Sequence, residues 1–216
     1  MLKSVVARAE KSVVPVVCIN PAPGLSAFAG TGFTGTGFKV TRGVVTASHV
    51  VAACSAETAL SYSCPDGATI EFYIGPGDGC GSVSRHDPAH DLALLTYHTS
   101  RASPHPLQAE SAHPYIGESL ALIGIPDTQD LIPGFQGYAT VTHGIVLATH
   151  RTQQLTSADG KRETLIDTIQ VATPGVLPGE SGGPAIDPAG KVVGVIEGSN
   201  PGIATLTPVA DLTSLY

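Results

Sequence analysis

The sequence predicts an all-β fold arranged as two strand-rich blocks. Short apolar runs recur at spacings of about ten residues, separated by Gly, Pro and Asp/Asn, the punctuation of tight turns between short strands. Gly and Pro are abundant, 25 and 17 of the 216 residues, while charged residues make up only 13%. A hydrophobic share of 42% is enough to fill a packed core. A segment at 100–112 carrying Pro104 and Pro106 divides the chain into blocks 1–108 and 109–216. Two antiparallel barrels or a sandwich both satisfy this pattern.

Residues 2–11 are expected to form a short helix. Residues 12–19, rich in Val, read as a strand whose Pro15 places that position at an edge or a start. A turn follows at 20–26. Residues 35–40 and 43–47 are short strands, and a helical turn follows at 49–53. Residues 69–74 alternate as a half-buried strand, 75–81 form a loop, and 91–97 form another strand. In the second block, strands are expected at 119–125, 137–147, 164–170, 183–186, 191–197 and 202–206. A short helix is expected at 209–215.

Composition excludes several classes. The net charge is -7 and the sequence has no basic stripe, which argues against nucleic-acid binding. No apolar run approaches the ~20 residues of a membrane span. The apolar run 13–19 followed by Ala27-Phe28-Ala29 mimics a signal peptide, but Arg8, Glu10 and Lys11 interrupt the region before it. A buried strand is the better reading; nothing then requires export, and a cytoplasmic location is slightly favoured. Cys18, Cys54, Cys64 and Cys80 contain no C-x-x-C pair, so a zinc ribbon or redox motif is not expected. Two disulfides fit an exported protein and four thiols a cytosolic one.

The stretch Gly179-Glu180-Ser181-Gly182-Gly183-Pro184 carries the chemistry. A serine hydroxyl is a weak nucleophile that needs a neighbouring base. Flanking glycines allow a sharp turn and close substrate approach. They also let the N–H groups of Gly179 and Ser181 converge on a developing oxyanion. The stretch also fits G-x-S-x-G, but that motif belongs to folds whose histidine follows the serine. All eight histidines here precede Ser181, so the order His…Asp…Ser remains. His49 stands directly after the apolar run 44–47, a rigid mount for a base. Asp91 heads the apolar run 92–95, whereas Asp87 is followed by Pro88 and reads as a loop. His86 and His90 have helical spacing for zinc but no third ligand at motif distance.

Gly35-Thr36-Gly37-Phe38, the segment Thr46-Ala47-Ser48-His49-Val50-Val51, the segment His90-Asp91-Leu92-Ala93-Leu94-Leu95 and Gly179-Glu180-Ser181-Gly182-Gly183-Pro184 together resemble the successive signatures of trypsin-like peptidases of the HtrA/DegP type. The resemblance runs from about residue 12 to the end. It implies a double six-stranded β-barrel with short terminal helices. His49 and Asp91 would come from the first barrel and Ser181 from the second, in a cleft between them, and the oxyanion hole would use the N–H groups of Gly179 and Ser181, joined by Glu180 on the same turn. It implies a serine endopeptidase acting on protein or peptide substrates, with no metal or organic cofactor. The position matching the base of the trypsin pocket is Gly175, which offers no charge for Lys or Arg. Val176, Leu177 and Ile196 would line an apolar pocket, with Glu197 and Gly198 completing the substrate strand. Small or medium aliphatic side chains are therefore expected before the scissile bond.

Three departures stand out. No Ile-Val-Gly-Gly activation site is present, Glu180 precedes the nucleophile in place of Asp or Asn, and Glu197, near a position where relatives often have Ser or Asn, is expected either to alter the cleft or bind a basic substrate residue, or to form a surface salt bridge. A PDZ domain, which typically follows the protease domain in HtrA proteins, is not expected within this chain. A catalytically silent binding or scaffold module on the same fold is the alternative.

Overall fold

A computed structural model describes residues 2–18, 33–52, 72–74, 80–97, 106–109, 113–126, 139–156 and 162–215. Helix α1 (Leu2–Ala9) leads through a 3-10 turn (Glu10–Ser12) into β1 (Val13–Cys18). Then come β2 (Phe33–Val40), β3 (Gly43–Ala47), helix α2 (Ser48–Ala52), β4 (Phe72–Ile74), β5 (Cys80–Asp87) and β6 (Leu92–Tyr97). The second block holds β7 (Ser119–Gly124), β8 (Thr140–Thr156), β9 (Arg162–Ala172), β10 (Pro184–Ile186), β11 (Val192–Asn200) and β12 (Ile203–Pro208). A 3-10 segment, Val209–Leu215, follows.

The strands close two antiparallel barrels, in the orders β1-β2-β3-β6-β5-β4 and β10-β11-β12-β9-β8-β7. This is the double six-stranded barrel, and the sandwich is excluded. Pro15 pairs with Thr36 across β2 and lies outside the contact of Val16 and Val17 with β4, as a residue without an N–H must.

Successive side chains on a strand point to opposite faces. In this fold both faces of several strands are covered, which turns alternation into continuous apolar runs. On β3, Val44 enters the first barrel's interior while Val45 enters the layer between barrels. On β6, Ala93 and Leu95 point inward, and Leu92 and Leu94 point to the interlayer. On β7, Leu120 and Leu122 fill the second barrel, and Ala121 and Ile123 face the first. The interlayer is a core in its own right, with Phe38 and Val40 meeting Ile186, Val192 and Val195.

Of the segment expected as a linker, the described residues 106–109 are hydrogen-bonded to both barrels. Leu107 N–H donates to Lys39 O, and Val192 N–H donates to Gln108 O, each at 2.8 Å.

The structure departs most from the predicted elements at β5 and β8, while β2, β9, β11 and β12 also outrun their expected bounds. β5 was not anticipated, because Cys-Gly-Ser-Val-Ser-Arg-His-Asp carries little apolar signal and Ser84, Arg85 and His86 are exposed. β8 continues well past 147. Its pairing with β9 shifts register between Val146 and Ala148, Ala148 and Arg151, and Arg151 and Gln153. Each shift resets the alternation, so the polar half of the strand hides its own period. The turn at 20–26, positions 75–79 of the expected loop 75–81 and the pairing of the cysteines lie outside the described residues, while Cys80 and Gly81 of that loop belong to β5.

Candidate active site

His49 sits in α2, at the end of β3. Its backbone N–H donates to Asp91 Oδ1 at 2.7 Å, and its ring Nδ1 lies 2.6 Å from Asp91 Oδ2. One carboxylate therefore grips both the main chain and the ring. Nδ1 carries the proton in this contact, which leaves Nε2 as the acceptor for a substrate-side proton. Asp91 is itself fixed. It ends the turn from Pro88 with φ 53, a left-handed conformation that Asp tolerates better than most residues. Its carbonyl accepts Ser48 N–H at 2.9 Å.

Burial pushes the Asp91 carboxyl up. Hydrogen bonds from the Glu197 side chain and from His49, with the His49 charge, outweigh it and hold the group below the ordinary carboxylate range. The histidine thus faces an ionised partner.

Ser181 lies in the turn between β9 and β10. Gly179 and Gly182 adopt φ 91 and 87, a region L side chains avoid. A Cβ at Gly182 would also strike Thr36 O and Thr46 Oγ1 of the first barrel. The sequence Ser-Gly-Gly is therefore required by how tightly this turn is pressed against β2 and β3. Ser181 Oγ donates to Glu197 O at 2.9 Å.

Thr36 of β2 holds the turn from the other barrel. Its N–H donates to Ser181 O at 2.8 Å, and its Oγ1 donates to Gly179 O at 2.7 Å while accepting Ile125 N–H at 2.8 Å. The peptide between Gly179 and Glu180 is thereby oriented. Glu180 N–H is committed to Leu177 O at 3.1 Å, so the expectation that Glu180 adds an oxyanion donor does not hold. The N–H groups of Gly179 and Ser181 have no acceptor among the described residues.

The Glu180 side chain has a structural task instead. It is buried, accepts Leu177 N–H at 2.8 Å and is bonded by Thr140 Oγ1. It pins the segment 175–180 to β8 from inside the protein.

The expected substrate residues divide. Gly175 and Gly198 each face open space where a Cβ would stand. Ser199 Oγ donates to Val176 O at 3.2 Å, tying β11 to the segment before the turn. Leu177 is 54% exposed and available to a ligand, and Val176 packs partly buried against the second barrel's core. Ile196 is fully buried in that core, so its side chain cannot line a pocket. Glu197 is also displaced from the expected role. Its side chain has 0% exposure and its Oε2 lies 3.8 Å from His49 Nδ1, so it cannot meet a basic substrate side chain at the surface.

Sequence reasoning did not single out Thr36 as part of this site or give the Glu180 carboxylate its partners. The signal for Thr36 was its place in Gly35-Thr36-Gly37, where small neighbours permit close approach of another chain segment.

Two groups of His, Asp and Glu among the described residues bring donor atoms within 4.8 Å of one another. One is His49, Asp91 and Glu197. The other is His113, His150 and Asp167, where the carboxylate lies 3.1 Å from His113 Nε2 and 2.6 Å from His150 Nδ1. Those hydrogen bonds account for the second cluster. His86 bonds Ser48 Oγ, at 2.5 Å, and His90 bonds Asp87, at 2.8 Å.

The trypsin-like peptidase domain family matches residues 30–195. The serine protease Do-like HtrA of Bacillus subtilis (strain 168) is 32% identical over 152 residues, 70% of this chain and 29% of that protein. The uncharacterized protein y4bJ of Sinorhizobium fredii is 29% identical over 192 residues, 89% of this chain and 25% of that one. The chain thus spans under a third of the length of these relatives. Among solved structures, the active form of the Rv3671c protease from M. tuberculosis superposes with a TM-score of 0.70 at 24% identity, covering 97% of this chain and 81% of that one. An HtrA-type protease with a tripeptide superposes with a TM-score of 0.68 at 22% identity, covering 99% and 62%.

Proposed function

The chain belongs to the trypsin-like peptidase family, and from that premise we propose that it is a serine endopeptidase with Ser181 as nucleophile, His49 as general base and Asp91 as the carboxylate that orients it. The observation that carries this reading is the double grip of Asp91 on His49, at 2.7 and 2.6 Å, which fixes the ring tautomer. The two blocks act together as one peptidase unit, one supplying base and acid, the other nucleophile and oxyanion donors.

Ser181 Oγ attacks the scissile carbonyl carbon as its proton passes to His49 Nε2. The hydroxyl must first redirect that proton from the Glu197 carbonyl. Negative charge builds on the carbonyl oxygen, where the Gly179 and Ser181 N–H groups receive it, each worth roughly 3–4 kcal/mol in the transition state. His49 then protonates the departing amine, the C–N bond breaks, and an acyl-enzyme remains. Water, deprotonated by His49, attacks the ester and returns Ser181. Asp91 stays ionised throughout and stabilises the imidazolium.

With Gly175 uncharged and Val176 and Leu177 apolar beside it, small or medium aliphatic side chains fit before the scissile bond. Purified protein is expected to cleave casein and to label with a fluorophosphonate probe. Ser181→Ala should abolish labelling and lower kcat on the order of a millionfold. An unreactive wild type would favour a silent binding module. In a peptide library, strong cleavage after Lys or Arg would sink the specificity assignment.

A further inference from the structure

We infer that Glu197 is a positioning residue for the triad: its carboxyl group keeps a proton and donates it to Asp91, so that the acid behind His49 is a carboxyl–carboxylate pair. This rests on the triad proposed above.

The backbone aims Glu197 at this place. β11 and β12 pair Ile196 with Leu206 and Gly198 with Thr205, so Glu197 is the extra residue of a bulge. A bulge lets two neighbouring side chains escape strict alternation and re-aims one of them. All six residues from Val192 to Glu197 are buried. Ile196 fills the second barrel, and Glu197 is directed under His49.

The chemistry of the contact then follows. Asp91 and Glu197 are both buried and bring side-chain oxygens within 4.8 Å of each other. Two carboxylates repel, and neither can donate; a hydrogen bond between them requires one proton. Asp91 already accepts both His49 N–H groups, so it is the ionised member and Glu197 the donor. Three donors then converge on one carboxylate and leave it no freedom to turn away from the ring. The same residue acts at the other end of the triad, where its backbone carbonyl accepts the Ser181 hydroxyl at 2.9 Å. A single bulged residue thus sets the geometry of both the acid and the nucleophile.

Several titratable groups surround the pair. His49 faces it from α2, and His86 of β5 is bonded to Ser48 beside it. The His90–Asp87 pair flanks the turn that carries Asp91. Asp211 of the C-terminal 3-10 segment faces His90 and Asp87 in turn. All of them persist in Glu197→Gln, which keeps an N–H donor but cannot titrate. The difference between wild type and this variant therefore isolates the Glu197 proton. Its loss at alkaline pH would place two negative carboxylates side by side beneath His49.

The test combines infrared spectroscopy of the resting protein with kinetics. At neutral pH the wild type should show a protonated-carboxyl C=O stretch that is present in Ser181→Ala and missing from Glu197→Gln. Glu197→Gln should keep kcat within about threefold and lose the alkaline decline of the wild-type profile. Glu197→Ala should lose roughly ten- to a hundredfold in kcat, the worth of one hydrogen bond to a charged group, with KM nearly unchanged. Absence of that stretch from the wild type, or a folded Glu197→Ala with wild-type kcat, overturns the inference. If Glu197→Ala fails to fold, the spectrum of the isosteric Glu197→Gln still decides. The stretch in a protein that cleaves no peptide would support the carboxyl pair and count against the peptidase reading.

Discussion

Asp91 has opposing influences of unequal strength. Burial favours its neutral form, yet hydrogen bonds and the His49 charge leave it ionised below the ordinary carboxylate range. The consequence for stability has a definite sign. A carboxyl whose pKa falls on folding stabilises the fold above its unfolded value, about 3.9. That contribution is lost as pH falls through the lower folded value. Urea unfolding at a series of acidic pH values should therefore show wild-type stability falling below about pH 4, with part of that slope missing in Asp91→Asn. At neutral pH the same variant should lose kcat on the order of ten-thousandfold, because an amide favours the wrong imidazole tautomer. An Asp91→Asn protein with the full acid slope would show that another group titrates there.

At the scale of elements, the turn 178–182 works only because β2 presses on it. Thr36→Val keeps the shape but removes the hydroxyl that joins Gly179 O to Ile125 N–H. Two buried polar groups are then left without that partner, each at a cost of about 1–3 kcal/mol. The oxyanion donors also lose the contact that orients the peptide lying between them. The expected outcome is a kcat reduced by roughly tenfold or more with KM changed far less, read from steady-state kinetics beside the thermal midpoint. A variant that is destabilised but keeps its kcat would make Thr36 a barrel clamp alone. Much of this architecture was legible in the sequence. The apolar runs at 44–47, 92–95 and 120–123 belong to strands buried on both faces, and His49 and Asp91 stand at their ends. Glu197 was not legible in the same way. Its neighbours read as an ordinary strand, and a bulge is created by pairing with β12, a partner the local sequence does not name. β5 escaped for the converse reason: it is a strand by its pairing with β6 and not by its own composition.

At the scale of the whole molecule, the two barrels share one core. Phe38, Val45, Leu92 and Leu94 of the first lie against Ala121, Ile123, Ile186, Val192 and Val195 of the second. That layer also separates and aligns the catalytic groups, since β3 and β6 carry His49 and Asp91 while β10 and β11 flank Ser181. A strand that is apolar on both faces cannot be solvated on one side without exposing half of its burial, so neither barrel is expected to persist when the other opens. Phe38 is fully buried at the centre of this layer. Phe38→Ala should cost about 3–5 kcal/mol, the loss from a large buried aromatic plus the cavity it leaves. Unfolding should stay a single transition, with amides of β3 and β11 losing hydrogen-exchange protection by the same amount, because the interlayer couples them. Loss of protection confined to the first barrel would instead mean that the second holds its fold alone, and that the site is assembled from two independently stable halves.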